Sequence, residues 1–169
     1  MKLRFAFAFI TFLTMALFSS AQPLSAGADA PVVTGITETG DPLSLGDVYA
    51  RQPYTLVYFY PKADTPGCTA QGCSLRDAYE ELLDKGVAVI GVSADNAADQ
   101  AKFKQKHNLP FTLIADADKQ VIKAFGVPTT FGFAKRSAFL VKGGKIVWAD
   151  HSASTSRQAE DVLKVVAAQ

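Results

Sequence analysis

Two short runs limit what this chain can fold into more than anything else in it. YTLVYFY (Tyr54–Tyr60) and VAVIGVS (Val87–Ser93) are continuously apolar, and the first is rich in β-branched and aromatic residues. Both are too short for helices. A strand that is apolar on both faces belongs in the middle of a sheet covered on both sides. Between them the period changes. Leu75, Ala78, Tyr79, Leu82 and Leu83 recur at helical spacing, Arg76, Asp77, Glu80, Glu81 and Asp84 fill the opposite face, and Gly86 supplies a C-terminal stop. The pattern predicts one helix opening near Thr65 and ending at Gly86.

The same alternation continues. Ala97–His107 reads as a surface helix, Phe111–Asp116 as a third strand and Lys119–Phe125 as a short helix. Ser137–Asp150 reads as two strands joined by Lys142-Gly143-Gly144-Lys145, a hairpin signal. Ser156–Ala168 closes the chain as an amphipathic helix with Ala159, Val162, Leu163, Val165 and Val166 inward. Upstream, Ile36–Leu45 suggests a small hairpin around Thr39-Gly40-Asp41-Pro42. Strands alternating with helices imply an α/β fold: a central mixed sheet flanked by helices, with an antiparallel edge from the last hairpin and an N-terminal β-hairpin extension.

The N-terminus has the grammar of an export signal. Lys2 and Arg4 precede an uncharged apolar run of fourteen residues, Phe5–Phe18, and Ser19-Ser20-Ala21 offers small residues for cleavage. The run is shorter than the roughly 20 residues that span a bilayer. Residues 1–21 are therefore expected to be removed, leaving no membrane segment and placing the protein in the periplasm or outside the cell. Residues 22–34, rich in Ala, Pro, Ser and Gly, read as a flexible lead-in, and 35–169 as one domain. Without Lys2 and Arg4 the chain carries 15 basic and 16 acidic residues. With no basic run and no phosphate-binding glycine loop, nucleic acid is not an expected partner. A monomer is expected.

The chain has two cysteines, Cys68 and Cys73, both in the predicted helix. Thr65 suits the N-cap and Pro66 the first helical position. Cys68 then falls in the first turn, beside unpaired N–H groups and the positive end of the helix dipole, which favours thiolate over thiol. Complete ionisation of an ordinary cysteine raises its reactivity at pH 7 by roughly thirtyfold at most, so faster chemistry needs a stabilised transition state. Cys73 lies five residues on, about 8.6 Å away by helix geometry, and a disulfide needs Cα atoms within about 7 Å. Two thiols so placed bond only when the helix opens, which favours redox chemistry over a structural staple. A metal site is disfavoured too, because His107 and His151 stand at no ligand spacing from the thiols.

The segment PKADTPGC (Pro61–Cys68) resembles the peroxiredoxin active-site pattern Pro-x-x-x-Thr/Ser-x-x-Cys. TAQGC after it resembles the bacterioferritin-comigratory-protein, or Q-type, subfamily of the AhpC/TSA superfamily, whose second cysteine lies five residues after the first. GVSADN and RSAFL extend the likeness, which runs from about Ala30 to the C-terminus. The resemblance implies a thioredoxin-like fold and a thiol peroxidase that needs no metal, haem or flavin. It acts on hydrogen peroxide and organic hydroperoxides and is recycled by a thioredoxin-like or other dithiol reductant. It also implies that Cys68 is peroxidatic and Cys73 resolving, that Thr65 and Arg136 orient the peroxide and stabilise charge on its oxygens, and that Pro61 shields the pocket. Lys135 stands beside Arg136, so the choice between the two rests on the RSAFL context.

Two other functions remain alternatives. A thiol–disulfide oxidoreductase of the cell envelope normally carries Cys-x-x-Cys, which is absent. An inert thioredoxin-fold binding module would be favoured by loss of Thr65 or the arginine, and both are present. Asp150-His151-Ser152 places three triad residue types side by side, where they cannot face one another, and reads as a solvated loop. Trp148 reads as packing and Arg76 as a residue of the helix's solvent face.

Overall fold

A computed structural model of the chain describes residues 22–169. Residues 1–21, read above as an export signal, lie outside the described residues. The elements in order are β1 (Thr34–Ile36), β2 (Pro42–Ser44), α1 (Leu45–Arg51), β3 (Tyr54–Phe59), α2 (Pro66–Asp77), α3 (Tyr79–Asp84), β4 (Val87–Ser93), α4 (Ala97–His107), β5 (Thr112–Ala115), α5 (Gln120–Ala124), β6 (Thr129–Thr130), β7 (Phe133–Ala134), β8 (Ser137–Lys142), β9 (Lys145–Asp150) and α6 (Gln158–Ala167).

The main sheet has the order β5-β4-β3-β8-β9. The two apolar runs are neighbours at its centre: β3 is parallel to β4, from Tyr54 opposite Val87 to Phe59 opposite Val92. On its other side β3 is antiparallel to β8, with Phe59 opposite Ser137. The β8–β9 hairpin turns through Gly143 and Gly144 at φ +56° and +76°, the left-handed backbone that a two-residue hairpin loop requires. Side chains of β3 alternate between two cores. Leu56, Tyr58 and Tyr60 pack with Cys68 and Leu75 of α2, Leu82 of α3, Phe103 of α4 and Val162 of α6. Val57 and Phe59 face Leu45 and Tyr49 of α1, Val121 and Ile122 of α5, and Phe125 and Phe139. The thioredoxin-like architecture expected from the sequence is thus present.

Two local expectations change, and two short elements went unread. The single helix over 65–86 is two helices, broken at Ala78 (φ −104°, ψ 13°), whose N–H bonds the Arg76 carbonyl. α3 restarts nearly in phase, so Leu75 and Leu82 are both fully buried and the apolar period runs on across a break it cannot reveal. α1 went unread because its seven residues bury only Leu45 and Tyr49, too few to register as a period. The β6–β7 hairpin, with two residues per strand, has the same disadvantage.

The lead-in over 22–34 is not free. Gly27 N–H bonds the Ile146 carbonyl at 2.8 Å, Ile146 N–H bonds Ala28 at 2.9 Å and Ala30 N–H bonds Gly144 at 2.8 Å. This segment covers the edge of β9, whose unpaired backbone groups would otherwise be exposed. Its small-residue composition says nothing of that pairing. The opposite edge is covered too: Thr37 bridges Ile114, and Leu113 N–H donates to the Glu38 carboxylate at 2.9 Å.

Candidate active site

The loop from Tyr60 to Asp64 leads from β3 into α2 and is braced on both sides. Tyr60 Oη donates to Gln100 Oε1 at 2.5 Å, and Gln100 Nε2 donates to Ser93 Oγ at 2.7 Å and the Ile114 carbonyl at 3.0 Å. Ser93 Oγ donates to Asp95 Oδ2 at 2.6 Å, and the same oxygen accepts from Ala63 N–H at 2.8 Å. Burial pushes the Tyr60 phenol well above its ordinary pKa, so it remains a neutral donor. The other brace is Asp64, at φ 58°, which meets His107 Nε2 at 2.8 Å and Lys106 Nζ at 2.7 Å. The hydrogen bonds from His107 and Lys106, with their charge, hold the Asp64 carboxyl below the usual carboxylate range.

Thr65 occupies the N-cap position with extended backbone (φ −90°, ψ 153°) and Pro66 follows at the helix start. The expected side-chain cap does not form. Thr65 Oγ1 instead donates to the Lys62 carbonyl at 3.0 Å, which leaves the hydroxyl oxygen able to accept a hydrogen bond from a ligand in the site. Pro61 is half-buried at the loop entrance. Cys68 is 1% exposed.

Arg136 precedes β8, and the pairing of Ser137 with Phe59 sets it level with the start of the loop. Its Nη2 donates to Cys68 Sγ at 3.4 Å. Lys135 is exposed, so the guanidinium that reaches the sulfur is Arg136. Gly67 leaves room for this approach: a Cβ there would lie 3.2 Å from Arg136 Nη2, a tight contact. Arg136 Nη1 donates to Gln71 Oε1, and Gln71 Nε2 donates to Gln158 Oε1 at 2.8 Å.

Cys73 is half-buried and both thiols are free, with α2 intact between them. Arg76 does not lie on a solvent face. It bonds the Asp77 carboxylate, and its Nη1 donates to the His107 carbonyl at 2.8 Å, docking α2 against the end of α4. His151 is not a solvated loop residue; its ring packs edge-on against Phe139 at 5.8 Å. Asp150 accepts from Ser152 N–H at 2.8 Å, and no triad forms.

The structure thus gathers Pro61, Thr65, Cys68 and Arg136 at one junction and leaves Cys73 further along the helix. Gln71, Gln100, Asp95 and Gln158 were not singled out in the sequence. Gln71 carried a signal: it lies three residues after Cys68, on the same helix face. A buried sulfur beside a guanidinium suits nucleophilic attack that expels an anionic oxygen, because fixed donors stabilise charge as it develops.

Comparison with known proteins points the same way. Residues 26–149 match the AhpC/TSA family. The putative peroxiredoxin bcp of Coxiella burnetii is 44% identical over 104 residues, which cover 62% of this chain and 68% of that protein. Peroxiredoxin Bcp of Escherichia coli K12 is 40% identical over 150 residues, covering 84% of this chain and 95% of that protein. The crystal structure of peroxidoxin BcpB from Mycobacterium tuberculosis superposes with a TM-score of 0.80 at 28% identity, covering 86% of this chain and 97% of that one. Peroxiredoxin Q of Xanthomonas campestris does so at 0.77 and 27%, covering 85% and 98%. With its cysteine at the start of α2 under an arginine, and with these relatives, the chain belongs to the AhpC/TSA family and, within it, to the Bcp or Q-type peroxiredoxins.

Proposed function

We propose that Cys68 is the residue at which this thiol-dependent peroxidase reduces its peroxide. The observation that carries the assignment is the 3.4 Å contact from Arg136 Nη2 to Cys68 Sγ in the first turn of α2. The Cys68 thiolate attacks one peroxide oxygen. The S–O bond forms as the O–O bond breaks, and the leaving oxygen takes a proton to become water or an alcohol. Arg136 stabilises the charge passing onto that oxygen, and Thr65 Oγ1 accepts from the hydroperoxide O–H. Pro61 keeps bulk water from the loop entrance.

Cys73 completes the cycle. As α2 opens, its thiolate attacks the sulfenic sulfur, the S–S bond forms and hydroxide leaves as water. A thioredoxin-type dithiol then reduces the Cys68–Cys73 disulfide, which returns two thiols to the protein. Reduced protein given a slight excess of hydrogen peroxide should lose two thiols per molecule without added catalyst. Cys68→Ser should lose all activity. Cys73→Ser should consume about one equivalent and halt as the sulfenic acid. Equal turnover of Cys73→Ser and the parent with a thioredoxin-type reductant would remove Cys73 from the cycle.

The charged start, apolar run and small residues of 1–21 support export, with the mature enzyme beginning near Gln22 in the periplasm or outside the cell. Intact-mass measurement of exported protein tests this, and recovery of a full-length membrane-bound form would reverse it.

A further inference from the structure

Two glutamines lie buried behind the site. Gln71 in α2 and Gln158 at the start of α6 are both 0% exposed, although an amide is costly to bury without partners. Their orientations follow from Arg136. A guanidinium only donates, so the side of Gln71 that faces it must be the oxygen. Gln71 then presents its NH2 to Gln158, and Gln158 must answer with oxygen, as it does at 2.8 Å. The direction of every bond is set by the cation at one end. Among the described residues Gln158 Nε2 is buried with no acceptor, a penalty of the kind folds rarely retain without cause.

We propose that Gln158 is a positioning residue for Arg136, acting through Gln71. An amide can flip, and a flipped Gln71 would aim an N–H at a group that only donates, releasing the guanidinium from its place over Cys68. The Gln158 oxygen holds Gln71 in the productive orientation, because the flipped amide would set two oxygens against each other there. The α6 terminus is in turn tied to α2 by Ala159 N–H, which donates to Ser74 Oγ at 3.3 Å. Gln71 lies between Cys68 and Cys73, so the opening of α2 that joins the two sulfurs dismantles the relay, and reduction rebuilds it. The proposal rests on the assignment of Cys68 and Arg136 above and adds a residue that never meets the peroxide.

The test is a double-mutant cycle on the rate of Cys68 oxidation by hydrogen peroxide, measured in the full mature protein with thermal melting alongside. Gln158→Met keeps the volume and removes the oxygen. It should slow oxidation about five- to tenfold, the factor one net hydrogen bond supplies. In an Arg136→Met background, or in Gln71→Met, the same substitution should add no further slowing, because the element it positions is already gone. Gln158→Glu keeps an accepting oxygen opposite Gln71 and should stay within about threefold of the parent; it also carries the test if the Met variant does not fold. The relay is overturned if Gln158→Met oxidises at the parent rate, if its effect is undiminished in either background, or if Gln158→Glu is slowed about tenfold. If the parent itself fails to lose thiols to peroxide, the assignment of Cys68 falls instead.

Discussion

The two faces of the central sheet bury different chemistry. On the α2, α4 and α6 side the core is threaded with polar groups: Cys68, Tyr58, Tyr60, Gln71, Gln100 and Gln158 are each within 1% of full burial. All but Tyr58 Oη and Gln158 Nε2 among their polar ends have partners. On the α1 and α5 side the packing is by shape. Phe59, Phe125 and Phe139 meet ring to ring at 5.1–5.8 Å. There Asp116 is tied to the first turn of α5 through Val121 and Ile122 N–H. A single strand, β3, serves both faces by alternation, with Tyr58 and Tyr60 on one and Val57 and Phe59 on the other. The difference teaches that one face stabilises the molecule while the other holds a reagent, and that the two tasks can be disturbed separately.

The largest disturbance to stability should come from the apolar face. Phe139→Ala removes a fully buried ring that touches Phe59, Phe125 and His151, and should cost about 3–5 kcal/mol in a denaturant titration. Below its melting range, Cys68 should still react with peroxide within about twofold of the parent rate. A parallel collapse of that rate would mean the faces are not separable. Arg136→Met is the converse. It should slow Cys68 oxidation by about 10²–10³, the usual loss for one oxyanion donor, with a far smaller change in melting. A loss of only about thirtyfold, restored by raising the pH, would make Arg136 a promoter of the thiolate and nothing more.

Gly72→Ala sharpens the comparison within the polar face. A Cβ at Gly72 meets Leu109 at 3.4 Å and Phe103 at 3.6 Å, contacts close to ordinary packing, and alanine strengthens a helix by about 1 kcal/mol over glycine. Disulfide formation, which needs α2 open, should slow about fivefold while the first oxidation is unchanged. Over-oxidation to sulfinic acid should rise with it. Reduced and oxidised parent should also differ in amide exchange from Cys68 to Leu75, and identical protection would sink the opening step.

The smallest effect should be at the exposed brace of the loop. The Asp64 carboxyl is held low by His107 and Lys106, so its folded pKa lies below the unfolded one. Its contribution is complete above roughly pH 4 and fades as the pH falls through the folded value. Asp64→Asn keeps a residue that tolerates φ 58° and should differ slightly from the parent at neutral pH. The difference should vanish in acid. A gap that persists in acid once the carboxyl is protonated would assign it to backbone geometry.

The strands, the helix after Thr65 and the cysteine spacing were legible because each is written in neighbours two to five residues apart. Tyr54–Phe59 forms β3 and Val87–Ser93 forms β4, within a residue of the apolar runs that announced them. The break at Ala78 was hidden by a period that survives it. The pairing of residues 27–30 along β9 was hidden by a composition that also suits loose chain. Gln71 and Gln158 were passed over because a polar residue at an inward helix position reads as an irregularity until its partner is known.

By itself the sequence determined that this protein would place a cysteine in the first turn of a helix after a buried strand, with a second cysteine five residues further along the same helix. Those are local properties of caps, periods and spacing. Only the tertiary structure decided that Arg136 and not Lys135 reaches the sulfur, that Gln71 turns its oxygen to that arginine, and that Gln158 holds it there. These contacts join residues 65, 68 and 87 positions apart. The physical reason is that such contacts are made by strand register and helix packing, which bring together side chains whose own neighbourhoods in the chain carry no trace of one another.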